Sequence, residues 1–207
     1  LLLNVLLTEI AALLIIKAKC VDVETGKPAK RGERGELWVR AANIVKGYFQ
    51  NEEATKETIT EDGWLKTGDV AVVDEDGDFS IVDRIKELIK VKGSQVAPAE
   101  LEGLLLTHPK IAAAAVVGVY DRSQATEWPR AYIELKDGRK SQKEEAELAR
   151  EFTEYVKKKA SGPKQLKGGV RFLDKVPASP SGKLLRKDLR ALVKQEEDQQ
   201  QSSSAHL

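Results

Sequence analysis

The periodicity of the chain changes at Asp83–Lys86, and that change constrains the fold more than any other feature of the sequence. From Cys20 to Arg84 the pattern is one of short strands and turns. "ETGKPAKRGERGE" is turn-rich, "ELWVRA" alternates as a strand does, and "NEEATKETI" is a short helix with an acidic start. "EDGWLKTGDVAVVDEDGDFSIVDR" holds short strands separated by Asp-Gly pairs, and Asp76-Gly77 is a strong hairpin signal. A small antiparallel β unit is expected, closing residues 1–85, with 1–19 divergent or truncated.

Beyond Arg84 strands alternate with helices. "KELIKVKGSQV" reads as strand-loop-strand, and "APAELEGLLLTHP" as a helix with Pro98 near its first turn. "IAAAAVVGVY" and "RAYIELK" are strands. "SQKEEAELAREFTEYVKKKA" is a long amphipathic helix, acidic at its start and basic at its end, which suits the helix dipole. "GGVRFLDKV" is a strand and "GKLLRKDLRALVKQ" a closing helix. The fold class is therefore α+β, with a compact α+β unit over 86–196 and a disordered polar tail over 197–207.

Composition excludes several classes of function. Lys and Arg number 34 against 33 Asp and Glu, and no long basic run is interleaved with aromatic residues, so nucleic acid is not an expected partner. One cysteine, Cys20, permits no internal disulfide and fits a reducing compartment. Two histidines form no metal-ligand cluster, and no metal site is expected. Leu1–Ile16 is apolar but carries Asn4, Thr8 and Glu9, short of the roughly 20 apolar residues that span a bilayer. It also lacks the marks of a signal peptide. Methionine is absent, so the expectation is a fragment whose start is buried core cut from a larger domain.

Three motifs carry chemistry. "KTGD", Lys66 to Asp69, reads as a strand ending in a turn with its carboxylate facing out. "DRIKELIKVKGSQVAPAELE" gathers Arg84, Lys86, Lys90, Lys92 and Gly93 in one short span. In "KVPASPSGKLLRKDL", Pro177 and Pro180 stiffen the backbone and Gly182 permits a tight bend. Lys183 follows, where a helix is expected to begin. Taken alone, such a lysine reads as a solvated side chain on a loop before a helix.

Taken in order, "GERGELWVR", "KGYFQNEEATKETI", "DGWLKTGDV", "IVDRIKELIKVKGSQVAPAELE" and "PASPSGKLLRKDL" resemble the adenylate-forming superfamily of acyl-CoA synthetases, luciferases and adenylation domains. The wording is closest to 4-coumarate–CoA ligase-like enzymes and runs from about Asp22 to Leu192. The resemblance implies the end of the large AMP-binding domain followed by the mobile C-terminal lid. It implies ATP with its Mg²⁺, coenzyme A and a carboxylic acid as substrates of an acid–thiol ligase. By position it gives Asp69 the ribose hydroxyls and Arg84 a further ribose or phosphate contact. Lys86 takes the hinge position, and Lys90 and Gln95 the adenylate. Lys92 and Gly93 border the CoA channel, and Lys183 is the catalytic lysine of adenylation.

The departures are informative. Nothing before Cys20 resembles the family's Ser/Thr/Gly-rich phosphate loop, and its aromatic-Gly-x-Thr-Glu segment is missing; Thr8-Glu9 is not carried over. Ala41-Ala42 replaces a common Gly-Pro. The acyl pocket would lie in the missing part, so the acid is not specified. Two other readings stand beside the ligase: a non-catalytic stand-alone lid or interaction module, and a peptide-synthetase adenylation domain. The final Ala205-His206-Leu207 resembles a peroxisomal Ser-Lys-Leu address, so an import receptor is an expected partner, with the cytoplasm as the alternative location.

Overall fold

The computed structural model describes residues 16–204, with side chains described to Glu196. The chain divides into two units, Leu1–Lys86 and Glu87–Leu207, beside the sequence boundary expected at 85/86. Residues 1–15 of the segment expected to be divergent or truncated (1–19), and the expected targeting address at 205–207, lie outside the described residues.

The first unit is a four-stranded antiparallel meander, β1 (Lys17–Val21), β2 (Arg34–Arg40), β3 (Leu65–Val73) and β4 (Phe79–Arg84), in sequence order. The β1–β2 loop is nucleated by Asp22, whose carboxylate accepts the Glu24 and Thr25 N–H groups and the Thr25 hydroxyl. Between β2 and β3 lies α1 (Glu52–Thr58), capped by the Asn51 side chain on the Ala54 N–H at 3.0 Å, with Glu52 and Glu53 at its positive end. The Asp-Gly signal is met between β3 and β4. Gly77 adopts φ 93°, and the Asp74 carboxylate takes the Asp78 N–H at 2.9 Å.

One expectation is corrected here. Lys66–Asp69 does not end a strand but lies within β3. The register passes from Glu36↔Val70 to Trp38↔Lys66, so residues 67–69 bulge opposite Leu37. Gly68, at φ 73°, makes the bulge possible, and the Glu36 carboxylate holds its N–H at 3.1 Å. Turn chemistry is thus spent inside a strand.

The second unit begins in a 3-10 turn (Ile85–Glu87) that spans the boundary, and continues as β5 (Ile89–Val91), β6 (Ser94–Val96) and α2 (Pro98–Leu106). There follow β7 (Ile111–Asp121), β8 (Thr126–Leu135), α3 (Gln142–Lys159), β9 (Val170–Phe172) and α4 (Arg186–Ser204). β7 pairs with β8 antiparallel, and β8 with β9 in parallel. A parallel neighbour needs a crossover, which α3 supplies. Its start is fixed by a capping box of Ser141 and Glu144.

Strand periodicity divides this sheet into two faces. Ala114 and Val116 of β7, with Ala131 and Ile133 of β8, face a core made with β5, β6, α2 and α3. Ala115, Val117 and Tyr132 point the other way, against Val176, Leu189 and Val193. Phe152 and Val156 of α3 are fully buried on the first face, each stabilising the fold by roughly 1.5–3 kcal/mol.

Two further readings change at the C-terminal end. The closing helix starts at Arg186 rather than beside Lys183, because the preceding residues are engaged in a turn of their own. It then continues to Ser204, through part of the stretch where a disordered tail is expected. Its Glu and Gln residues are adequate helix formers. Among the described residues, no helix is long and apolar enough to cross a membrane.

Candidate functional site

The residues singled out by sequence fall into three structural settings. In the first unit, the bulge that carries Asp69 places it directly across from Arg84 in the β3–β4 ladder. The Arg84 Nε donates to Asp69 Oδ1 at 3.1 Å. Asp69 keeps a second carboxylate oxygen, and the Arg84 side chain is 62% exposed, so the pair retains free acceptor and donor capacity. A carboxylate of this kind accepts two neighbouring hydroxyls, and a guanidinium beside it suits negative oxygens. Lys86 lies at the centre of the 3-10 turn, as the last residue of the first unit.

In the second unit, β5 and β6 form a two-residue hairpin with Lys90 opposite Gln95 and Val91 opposite Ser94. Lys92 and Gly93 are its turn, with φ of 46° and 81°, the conformation required of both central residues in a type I′ turn. For lysine this is an uncommon backbone state. The buried Ile89, Val91 and Val96 root the hairpin in the core, leaving Lys90, Lys92 and Gln95 exposed. Residues at the start of β8 hold it from outside. Thr126 Oγ1 accepts the Lys92 N–H at 2.7 Å and donates to the Lys90 carbonyl at 3.1 Å. Glu127 Oε2 accepts the Lys90 N–H at 2.7 Å. The Lys92 ammonium lies 5.4 Å from the centre of the Trp128 ring, and Lys167 lies 4.2 Å from it.

Trp128 is itself oriented, donating its indole N–H to Asp121 Oδ2 at 3.3 Å. The Asp121 carboxyl is held below its usual range, first by the Ser123 hydroxyl, with backbone N–H groups and the indole adding to the effect.

Lys183 occupies a separate hairpin-like turn closed by an Ala178↔Leu184 bridge. Its carbonyl accepts the Ser179 N–H at 2.8 Å, and its N–H donates to Ser179 Oγ at 3.1 Å. The Gly182 N–H closes the inner turn on the Ser179 carbonyl at 2.8 Å, with Gly182 at φ 81°. The backbone on both sides of Lys183 is therefore pinned while its side chain is exposed. The next turn of chain is anchored by Arg186, paired with Glu102 of α2 at 2.7 Å. Glu102 is 6% exposed and also accepts the Val116 N–H of β7 at 2.9 Å.

The Lys183 turn packs through Leu184 onto the cluster of Val176 and Leu189, whereas the β5–β6 hairpin packs into the cluster on the other face of the sheet. The structure thus keeps the two lysine-bearing turns on opposite faces. Sequence reasoning did not single out Thr126, Glu127, Trp128, Glu102 or Arg186. Thr126 acts on residues more than thirty positions away, and no local motif marks it.

A unit with this topology and these turns matches the family model for the AMP-binding enzyme C-terminal domain, over residues 100–183. The chain is similar in sequence and in structure to adenylate-forming enzymes. It is similar to 4-coumarate–CoA ligase 1 of Glycine max, 49% identical over 175 residues, covering 84% of this chain and 57% of the soybean protein. A putative acyl-coenzyme A synthetase of Emericella nidulans is 50% identical over 176 residues, or 84% of this chain and 30% of that protein. Among solved structures, ATP-bound MatB from Rhodopseudomonas palustris superposes with a TM-score of 0.76 at 29% identity, covering 87% of this chain and 34% of that one. The anthranilate CoA ligase AuaEII in complex with anthranoyl-AMP gives a TM-score of 0.74 at 31% identity, covering 88% and 33%. The chain thus spans between 30% and 57% of the length of these relatives.

Proposed function

We propose that the protein to which this chain belongs is an ATP-dependent carboxylic acid–CoA ligase, and that residues 86–196 are its mobile lid. The observation that carries this reading is the placement of Lys183 and of Lys90, Lys92 and Gly93 on two rigid turns on opposite faces of one sheet. A carboxylate attacking the α-phosphorus of ATP is already ionised at neutral pH, so the difficulty is to bring an anion onto a polyanion. Mg²⁺ travelling with ATP neutralises part of that charge, and a fixed lysine bridging carboxylate and phosphate neutralises more. Lys183 is suited to this role because its backbone is pinned at both the N–H and the carbonyl.

Pyrophosphate then leaves, and a CoA thiol displaces AMP from the acyl-adenylate. Different groups are needed, and rotation about Lys86 exchanges the Lys183 face for the face bearing Lys90, Lys92, Gly93 and Gln95. Asp69 and Arg84 hold the ribose in both steps. The names of two relatives, a 4-coumarate and an anthranilate CoA ligase, favour an aromatic acid as the carboxylate.

Full-length protein is expected to exchange pyrophosphate into ATP in the presence of one of 4-coumarate, benzoate or octanoate, and to form the thioester when CoA is added. Absence of both activities with all such acids would overturn the reading. Residues 1–207 alone are expected to show no acid-dependent exchange, since the sequence holds no Ser/Thr/Gly-rich phosphate loop. The C-terminal Ala205-His206-Leu207 supports a peroxisomal location through an import receptor. A reporter ending in residues 196–207 that stays diffuse in the cytosol would refute it.

A further inference from the structure

We infer that the first three residues of β8, Thr126, Glu127 and Trp128, are positioning residues for the thioester-forming step, acting by setting the β5–β6 turn. This rests on the ligase reading above. Each of the three holds a different part of the hairpin. Thr126 Oγ1 bridges the Lys92 N–H and the Lys90 carbonyl, so one hydroxyl clamps the residues on either side of Val91. Thr126 is 5% exposed, and its hydroxyl is shielded from competing water. Glu127 takes the Lys90 N–H. Trp128 offers its ring face to the Lys92 ammonium.

The strand opposite is shaped to allow this arrangement. A Cβ on Gly118 would come within 3.1 Å of both the Glu127 carboxyl carbon and Ile89 Cγ2. That glycine keeps space for the carboxylate to reach the hairpin. Lys92 has positive φ, which lysine adopts reluctantly, so a turn left to itself would sample other conformations. The clamp supplies what the turn sequence lacks.

In the step concerned, the CoA sulfur attacks the acyl carbonyl carbon and forms the C–S bond. The C–O bond to AMP breaks, its electron pair leaving on the AMP phosphate, and the thiol proton passes to solvent. Lys92 and Gly93 border the path of the thiol, so a turn that wanders would lower the fraction of productive encounters. Adenylation uses Lys183 on the other face of the sheet, and the Thr126 clamp does not touch that turn.

The test compares Thr126→Val, Thr126→Ser and Trp128→Leu in full-length protein. One assay is single-turnover thioester formation from purified acyl-AMP and CoA, and the other is pyrophosphate exchange with the same acid. Amide exchange of Lys92 is followed in parallel. Thr126→Val is expected to slow thioester formation about tenfold, equivalent to about 1.4 kcal/mol. Exchange should fall far less, and Lys92 protection should be lost. Thr126→Ser restores the hydroxyl and should recover most of the rate, and Trp128→Leu should show a smaller loss confined to the same half-reaction. Equal losses in both half-reactions, or an unchanged thioester rate despite lost Lys92 protection, would overturn the inference while leaving the ligase reading intact. A wild-type protein inactive in both assays would overturn the two together.

Discussion

The β5–β6 hairpin and the 178–184 turn present lysines in closely similar ways and are held in opposite ways. Each is a tight reversal containing a glycine at φ 81°, Gly93 in one and Gly182 in the other. The 178–184 turn is closed by its own residues, through Ser179 on Lys183, Gly182 on Ser179, and the Leu185 N–H on the Pro177 carbonyl at 2.9 Å. The hairpin is rooted by its own Ile89, Val91 and Val96 but takes its clamp from elsewhere, with Thr126 and Glu127 reaching it from another strand. A locally closed turn is prepared by its own sequence, whereas a remotely clamped one depends on the whole unit being folded. On the proposed reading, in which each turn serves its own half of a reaction, the two can therefore be tuned independently.

The largest expected effect separates the two turns directly. Lys183→Ala in full-length protein should slow acyl-adenylate formation by about 10²–10³-fold, the usual consequence of losing one preorganised electrostatic contact. Thioester formation from supplied acyl-AMP should change far less, and Lys92→Ala should show the reverse pattern. Arginine at 183 should rescue only partly, since a planar fork replaces a compact ammonium poorly. Single-turnover assays of the two half-reactions decide this. If Lys183→Ala slows both equally, the division of labour between the turns is wrong.

Next in size is a change to the frame that both turns share. Glu102 ties α2 to β7 and to the first residue of α4, by way of the Val116 N–H and Arg186. Arg186→Met removes one of the groups that neutralise this buried carboxylate and should cost about 3 kcal/mol of unfolding free energy, the lower end for breaking a buried pair. Urea unfolding of the chain measures it. A loss well under 1 kcal/mol would mean that the frame does not depend on the pair.

A matched pair of glycine variants then asks whether the turns are equally strained. At both Gly93 and Gly182 an added Cβ meets nothing within 4 Å, so alanine introduces backbone strain without a clash. That strain costs about 1–2 kcal/mol. Gly182→Ala should slow adenylation about tenfold, and Gly93→Ala thioester formation by a similar factor. Half-reaction kinetics again provide the measurement, and an effect of either variant on the wrong half-reaction would break the comparison.

What the sequence disclosed follows the same division between local and remote. The acidic start of α1, the acidic-to-basic run of α3, the Asp76-Gly77 turn and the Pro-Ser-Gly chemistry around Lys183 depend on near neighbours, and all were legible in residue order, whereas the Asn51 cap and the Ser141–Glu144 capping box were not singled out. The change of unit near Lys86 was legible as a change of periodicity. Thr67-Gly68-Asp69 was misread as a strand end because a bulge uses the same residues as a turn, and only the partner Glu36 distinguishes them. The start of α4 was placed too early because Lys183 and Leu184 are helix-compatible residues held by Ser179 and Ala178. Thr126, Glu127 and Glu102 were passed over because their partners are distant in sequence, and a single chain carries no record of such pairing.

The smallest effect concerns acid. On the hairpin side, Trp128 is oriented by Asp121, whose carboxyl is held below its usual range chiefly by the Ser123 hydroxyl. The groups facing it are the Ser123 hydroxyl, the Ser123 and Gln124 N–H groups, the Gln124 side chain and the Trp128 indole. Lys92 and Lys167 lie on the Trp128 ring beyond it. A carboxyl whose folded pKa lies below its unfolded value of about 3.9 contributes stability that is fully present above that value. The contribution is lost as pH falls through the folded pKa. The Lys92 amide protection factor and the Trp128 indole resonance should therefore stay constant from neutral pH to about 5 and decline below about 4. Asp121→Asn should remove the part of that decline that depends on Asp121, while the Glu127 carboxylate still holds the Lys90 N–H. No carboxylate takes part in the bonds that close the 178–184 turn, so the protection factor of Lys183 should stay level over the same interval. A parallel decline at Lys183 would show that acid loosens the unit as a whole, and that the two turns are not held independently after all.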